Sequence, residues 1–429
     1  MKLPIGKFPL RIVVVAICAM AFVVLIFATN LGTITGTSIF NPRSCSRKQP
    51  MTNEASTVEE NKEKRNIAAI DEVFVDEDKM DFEPGEECRI EEGEWVLNTS
   101  AEAFYSAESC PYLDEQVSCL RNGRPDAEYL HWEWKLAECN LPRFSAATLL
   151  NKLRGKRLMF TGDSLQRQQW QSLVCMIESN IPSDKKSMKR RRSLSVFKAE
   201  DYNATIEFYW APFLVQSNSD EPIITNTKNR IVRVDSISKH AQYWLGADII
   251  VFNSYVWWMD GHRMKSLWGS FANGEEGYEE LDAVLAYRMA IKTWANWIDS
   301  NLNRSKTRIF FTTASPTHMK SADWSHENGI RCYNETRPVT TKGYWGSGSD
   351  RRMMDVVSSI VGRMKVPVTF INITQLSEYR KDGHVSIYGE VREKELEDEK
   401  LDPKIYLDCI HWCLPGVPDT WNQIFYAHL

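Results

Sequence analysis

No Gly-x-x-x-x-Gly-Lys-Ser/Thr phosphate loop occurs in the 429-residue chain, and no Gly-x-Gly-x-x-Gly opens a helix after a strand. Both absences argue against a nucleotide site built on a glycine-rich turn. Cys-x-x-Cys is missing too, and Cys409 and Cys413 have no matching pair elsewhere, which weakens a zinc reading; no metal site is visible in the sequence. Excess positive charge is also lacking. Lys and Arg total 52 against 57 Asp and Glu, a formal net charge of -5 with a pI near 6.0. That balance argues against a general nucleic-acid binder. What remains is 43% hydrophobic, enough for one large domain with appendages.

The N-terminus reads as a membrane anchor. Lys2, Lys7 and Arg11 precede an apolar run from Ile12 to Ala28, near the lower limit for a spanning helix. A cleaved signal peptide is the competing reading, but no convincing small-x-small cleavage site follows. The positive-inside rule then puts residues 1–11 in the cytosol, a transmembrane helix at 12–30, and the rest in a lumen. Residues 31–85 are polar and poor in aromatics, with too little apolar area to offset the entropy of ordering. They read as a disordered stem. Cys18 lies in the span; Cys45 stands alone in the stem, either free or joining two chains in a homodimer.

Eight of the 10 cysteines lie beyond the stem: Cys88, Cys110, Cys119, Cys139, Cys175, Cys332, Cys409 and Cys413. An even number in an oxidising lumen reads as a disulfide framework. Asn98, Asn203, Asn303, Asn334 and Asn372 each begin an Asn-x-Ser/Thr sequon, which fits lumenal exposure.

The chemistry concentrates in two stretches. In Leu153 to Trp170, Leu158, Met159 and Phe160 form a short buried strand, Gly162-Asp163 turns, and an amphipathic helix opens. Leu165, Trp170, Leu173, Val174 and Ile177 mark its apolar face. Ser164 sits where strand passes into helix, beside free N–H groups and the positive end of the helix dipole. A nucleophilic hydroxyl there suits acyl transfer, in which negative charge develops on a carbonyl oxygen; a serine that merely N-caps the helix is the plainer reading. The second stretch is Asp408-Cys-Ile-His411, followed by Trp412-Cys413 and a Pro-Gly-Val-Pro turn. Histidine has the pKa to take a serine proton, and a carboxylate fixes its tautomer. Asp408 and His411 are close enough to share one turn of loop or helix.

Gly-Asp-Ser paired with a C-terminal Asp-x-x-His resembles the SGNH/GDSL esterase superfamily. LRGKRLMFTGDSLQRQQWQSLVC, VFNSYVWWM and DCIHWCLPGVPDTWN are similar to the plant trichome birefringence-like family of Golgi polysaccharide O-acetyltransferases, from about Cys88 to the C-terminus. ADIIVFNSYVWWM, WANWIDS and SADW further resemble the branch that acetylates xylan. The resemblance implies an α/β fold of the SGNH/GDSL type, three layers (α/β/α) around a mostly parallel sheet. It also implies an N-terminal subdomain at 86–144, aromatic over Tyr129 to Phe144, packed on a catalytic domain at 145–429. It suggests the disulfides Cys88–Cys139, Cys110–Cys175, Cys119–Cys413 and Cys332–Cys409, the last two clamping Asp408 and His411. Ser164, Asp408 and His411 become the catalytic residues, with an oxyanion hole from the Ser164 N–H and Asn253. Asn253 ends the apolar run Ala247–Asn253, a central parallel strand, and ligands of open α/β sheets bind at such ends.

Ala204–Trp210, Arg308–Thr313 and Val368–Ile373 read as further strands, and Leu281–Leu302 as a core-packing helix. Lys185-Lys186 and Lys189 to Arg192 read as a basic loop, either solvated or a groove edge that attracts acidic polymer such as glucuronic acid branches on xylan. Glu390–Lys400 reads as a charged surface loop. Among 15 tryptophans, Trp257, Trp258 and Trp268 are the candidate sugar-stacking platforms, with Arg167 as a further substrate contact.

The expected reaction is acetyl transfer to O-2, O-3 or both of xylosyl residues in the Golgi. It needs no bound cofactor but does need an acetyl donor as co-substrate, either acetyl-CoA or an acetylated intermediate. Xylan or another wall polysaccharide is the acceptor, and a Golgi complex is an alternative assembly to the homodimer. A triad does not by itself distinguish sugar from water as acceptor. A polysaccharide acetyl esterase therefore stands as the alternative, and a non-catalytic glycan-binding protein as the third.

Overall fold

The computed structural model describes residues 89–90, 92–221, 227–259, 261–271, 277–389 and 407–429. The expected anchor, stem and charged run at 390–400 lie outside them, as do Cys18, Cys45 and Cys88. The chain divides into two compact units, 1–75 and 76–429; the first lies wholly outside the described residues. Among the described residues, no helix is long and apolar enough to cross a membrane.

Strands β1 (Gly93–Leu97) and β2 (Trp132–Leu136) pair antiparallel and set Trp95 opposite Trp134. Much of the segment around them is turn and loop, so side chains and cross-links fasten it to the rest. Trp95 donates its indole N–H to the Leu376 carbonyl at 2.8 Å, and the Arg380 guanidinium lies 4.3 Å over the same ring. The Tyr105 hydroxyl donates to Asp419 at 2.8 Å. The disulfides Cys110–Cys175 and Cys119–Cys413 form as expected, as does Cys332–Cys409. Cys139 is also disulfide-bonded.

Helix α1 (Ala146–Lys152), capped by the Ser145 hydroxyl, leads into β3 (Arg157–Gly162), the centre of a seven-stranded sheet. Helix α2 (Ser164–Glu178), hairpin strands β4 (Lys186–Arg190) and β5 (Leu194–Ala199), and β6 (Ala204–Trp210) follow. After β7 (Ile231–Val232) and α3 (Ser238–Trp244) comes β8 (Ile249–Phe252). Then β9 (Arg263–Leu267) and β10 (Tyr278–Asp282) join β7 in a small separate sheet. Helix α4 (Ala283–Asn301), β11 (Arg308–Thr312), α5 (Arg351–Val361) and β12 (Val368–Ile371) complete the large sheet. Its order is β12-β11-β8-β3-β6-β5-β4, parallel from β12 to β6, with the hairpin antiparallel at one edge. The C-terminal part contains α6 (Thr374–Glu378), the antiparallel pair β13 (His384–Ser386) and β14 (Asp408–Trp412), and α7 (Val417–Ala427).

The three layers follow from the two-residue period of the strands. Phe160, Val251 and Phe310 are register neighbours and share one face, where Phe425 of α7 packs on Phe160 and Phe310. Phe252 and Phe311 point the other way, onto Trp294 of α4. Apolar runs on β3, β8 and β11 are thus required by two covered faces. Each such buried aromatic or aliphatic side chain contributes about 1.5–3 kcal/mol.

Two expectations change. Helix α2 has no solvated face: Gln166, Gln168, Gln169 and Gln171 are buried along with the apolar residues. Asn422 of α7 donates to the Gln169 carbonyl and the Ser172 hydroxyl on its outer side. The basic stretch is a β-hairpin, because its backbone completes the edge against β6. Its cations stand on an edge strand, which discourages pairing with another chain. Several are matched, Lys186 by Glu178, Arg190 by Asp114 and Arg192 by Glu221.

Candidate active site

The tight turn after β3 is set by Gly162, where a Cβ would lie 2.5 Å from the Asn253 carbonyl oxygen. Only a residue without one lets β3 and β8 end this close together. Asp163 then caps α2, accepting from the N–H of Leu165 at 2.9 Å and Gln166 at 3.4 Å. Burial pushes its carboxyl up, while those N–H groups and His411 hold it down. With Asp163 as the cap, Ser164 is the first helical residue. Its N–H has no acceptor within the helix, and its hydroxyl is not needed for capping.

That hydroxyl meets His411 Nε2 at 2.7 Å. His411 Nδ1 lies 2.7 Å from Asp408 Oδ2, while Asp408 Oδ1 accepts from the N–H of Ile410 at 3.1 Å and His411 at 2.9 Å. Burial alone would raise the Asp408 carboxyl. The His411 ring and the two N–H donors outweigh it and hold the group well below the usual carboxylate range. The Nδ1 contact fixes His411 as the tautomer with a free Nε2 lone pair, aimed at the serine.

Contrary to a turn of loop or helix, Asp408 and His411 occupy a strand. Between β13 and β14 the register runs from His384↔Trp412 to Ser386↔Asp408, so five residues of β14 span three of β13. This irregularity, together with the Asp408 side chain folded onto its own backbone, brings residues three apart to one side. Several partners immobilise the strand. Cys409 and Cys413 are tied to Cys332 and Cys119, and His384 Nδ1 donates to the His411 carbonyl at 3.0 Å.

Gln168, one turn beyond Ser164, was not legible as a functional residue. Its Nε2 donates to the Trp412 carbonyl at 2.7 Å and its Oε1 accepts the Trp412 N–H at 3.2 Å. One buried amide thus locks the helix of Ser164 to the strand of His411. The available signal was the i, i+4 spacing from Ser164.

Other candidates are placed differently. Asn253 directly follows β8, at the strand end as expected, but its Nδ2 donates to the Thr312 and Thr313 carbonyls at 3.1 and 3.4 Å. Both its N–H groups are turned into the sheet, so in this arrangement they are not available to an oxyanion. Trp258 is fully buried, donates to the Ser254 hydroxyl and packs on Phe213 and Tyr287. Trp257 is buried beneath the Arg230 guanidinium. Neither presents a ring to a sugar, because the turn after β8 folds inward. Trp268 is exposed and directly follows β9 of the small sheet. Arg167 contacts Gln116 Oε1 at 3.3 Å and stands 4.0 Å from Asp114. Burial holds its pKa below the ordinary value against Asp114, with Arg190 adding to the lowering.

Asn203, Asn303 and Asn334 are exposed, while Asn98 and Asn372 are half-buried. Asn98 Nδ2 donates to Glu133 at 3.1 Å. No group of three or more His, Cys, Asp or Glu side chains among the described residues is arranged to hold a metal ion.

Residues 141–428 match the PC-Esterase model, a GDSL/SGNH-like acyl-esterase family found in Pmr5 and Cas1p, and residues 86–140 match the PMR5 N-terminal domain. The chain is 52% identical over 429 residues to protein trichome birefringence-like 3 of Arabidopsis thaliana, covering 99% of this chain and 97% of that protein. Probable xylan O-acetyltransferase 8 of Oryza sativa subsp. japonica is 57% identical over 345 residues, 80% of this chain and 78% of its own. Xylan O-acetyltransferase 12 of the same species is 45% identical over 350 residues, 80% and 70% of the two chains. An SGNH-type hydroxyl–imidazole–carboxylate chain, a matching family model over two-thirds of the sequence and these relatives lead to one conclusion: the chain belongs to the GDSL/SGNH-like acyl-esterase family, among its trichome birefringence-like members.

Proposed function

We propose that this protein is a Golgi xylan O-acetyltransferase that works by double displacement on Ser164. The observation that carries the reading is the unbroken Ser164–His411–Asp408 chain, with 2.7 Å at each side-chain contact, in a chain whose relatives include proteins named xylan O-acetyltransferases. His411 Nε2 takes the Ser164 proton as Oγ attacks the acetyl carbonyl of the donor. Collapse of the tetrahedral adduct expels the donor's leaving group, which receives that proton from His411, and leaves acetyl-Ser164. A xylosyl O-2 or O-3 hydroxyl then gives its proton to His411 and attacks the ester. Ser164 departs and recovers the proton. The Ser164 N–H at the helix start supports the oxyanion in both halves. Asp408, held ionised, stabilises the imidazolium that forms twice per cycle.

The N-terminal apolar run and the disulfides suit a type II protein with a lumenal catalytic domain. Arg167 and Trp268 are the retained candidates for acceptor contact.

The deciding experiment mixes the protein, made in a eukaryotic host, with xylo-oligosaccharide and an acetyl donor such as acetyl-CoA. Acceptor mass and free acetate are followed together. Acetylated oligosaccharide that disappears with Ser164→Ala is expected. Free acetate alone makes the protein an esterase and overturns the proposal.

A further inference from the structure

Behind the base lies a second, buried pair of imidazoles that acetyl transfer does not use directly. His384 Nδ1 faces the His411 carbonyl at 3.0 Å, His384 Nε2 faces His318 Nδ1 at 2.7 Å, and His318 Nε2 faces the Glu378 carbonyl at 2.9 Å. Both rings are buried, and His384 stacks on Trp412 with centroids 4.0 Å apart.

Carbonyl oxygens only accept, so each end of this chain demands an N–H. The inter-ring contact demands one more. Two neutral imidazoles carry two ring protons between them, and the row of three hydrogen bonds needs three. We propose that His318 and His384 form a buried proton site behind the base: the pair takes up one proton beyond the two of its neutral rings, and that proton closes all three contacts and fixes His384 against the His411 carbonyl. Both are positioning residues, and this role rests on the reading of His411 as the base. When the extra proton leaves, one of the three contacts must open, because two protons cannot serve three bonds.

The surroundings set where this happens. Burial opposes charge on both rings, pulling His318 down to about 4 and His384 down as well. Around His318, the Glu378 carbonyl and the carboxylates of Asp382 and Asp323 favour the proton, and Lys381 opposes it. Asp382 is itself paired with buried Arg380, and Lys381 with Glu335. Around His384, the His411 carbonyl and Asp408 favour the proton, while His318 and the His411 ring oppose it. Arg124 adds a further positive charge, donating to the His384 carbonyl at 3.2 Å. The pair therefore exchanges its extra proton on the acid side of histidine's ordinary range, as one coupled unit.

The test labels the full chain with nitrogen-15 at histidine and follows the ring nitrogens by NMR as pH is varied, in wild type and in His318→Asn. The asparagine amide donates to His384 Nε2 without carrying charge. Three N–H groups in the pair at acid pH, falling to two in a single step below pH 6.5, are expected in wild type. In His318→Asn, His384 Nδ1 stays protonated throughout. The kcat profile of the variant correspondingly lacks one ionisation present in wild type, with KM for the oligosaccharide within about twofold. Two protons in the pair at every pH where the protein is folded, or identical kcat profiles, would overturn the proposal. If His318→Asn does not fold, the wild-type titration alone decides. The NMR result does not depend on transfer, so it fails separately from the assignment of Ser164.

Discussion

Replacing Gln168 with Leu tests whether the helix–strand lock positions the base. The change keeps side-chain bulk in a buried site but removes both hydrogen bonds to Trp412. The freed N–H and C=O lie on a buried residue, and each costs about 1–3 kcal/mol when left unpaired. Partial relaxation makes about 2–4 kcal/mol of lost stability a reasonable sum. For a unit of this size that lowers Tm by about 3–6 °C. The larger consequence falls on Ser164 and His411, one turn and one residue from the lock. A displacement of about 1 Å between them reduces turnover by roughly a hundredfold. Acetyl transfer to xylo-oligosaccharide is therefore expected to lose about 10–100-fold in kcat, with KM changed little. Assays run well below the lowered Tm separate positioning from unfolding. If Gln168→Leu lowers Tm as stated but leaves kcat within twofold, the lock is structural only and does not position His411.

Asp408→Asn retains a hydrogen-bonding partner for His411 but loses the charge that selects its tautomer. A fall in kcat of about 10³–10⁴-fold is expected without loss of acceptor binding, and retention of a tenth of the activity would exclude Asp408 from this role. Asp419, buried against Tyr105, Ser172 and the Gly416 N–H, has its carboxyl pushed up from 3.8 to about 6 by burial. A raised carboxyl binds its proton more tightly in the folded chain. Its contribution is therefore fullest below pH 3.8 and declines by about 3 kcal/mol as pH rises to about 6. Chemical denaturation across that window should show the slope in wild type and a flatter one in Asp419→Asn; equal slopes would reject the linkage. Trp258→Ala should destabilise by about 3–5 kcal/mol as a core truncation. Trp268→Ala should change stability by less than about 0.5 kcal/mol and weaken oligosaccharide binding if that ring is a platform; unchanged binding in calorimetry would remove it from the acceptor site.

Sequence pattern placed β3, β6, β8, β11, β12 and α4 to within about two residues: apolar runs for β3 and β8, which are covered on both faces, alternation for β6 and a helical face for α4. Local chemistry made Ser164, Asp408 and His411 candidates, since few residue types serve as nucleophile, base and carboxylate, and the family resemblance preferred that role over a plain N-cap for Ser164. The disulfide pairings came from family resemblance, not from spacing. Tertiary structure decided what depends on partners distant in the chain. Whether Trp257 and Trp258 face sugar or core turns on how the segment after β8 folds back over Phe213 and Tyr287. Asn253 looked free to donate until the end of β11 supplied carbonyls for its amide. Gln168 reads as one more helix former until its amide meets a backbone 244 residues later. His318 and His384, 66 residues apart, become one unit only when the fold brings a nitrogen of each ring to within 2.7 Å of the other. Hydrogen-bond partners and burial belong to pairs of residues, and a linear sequence specifies the members of each pair without showing which of them meet.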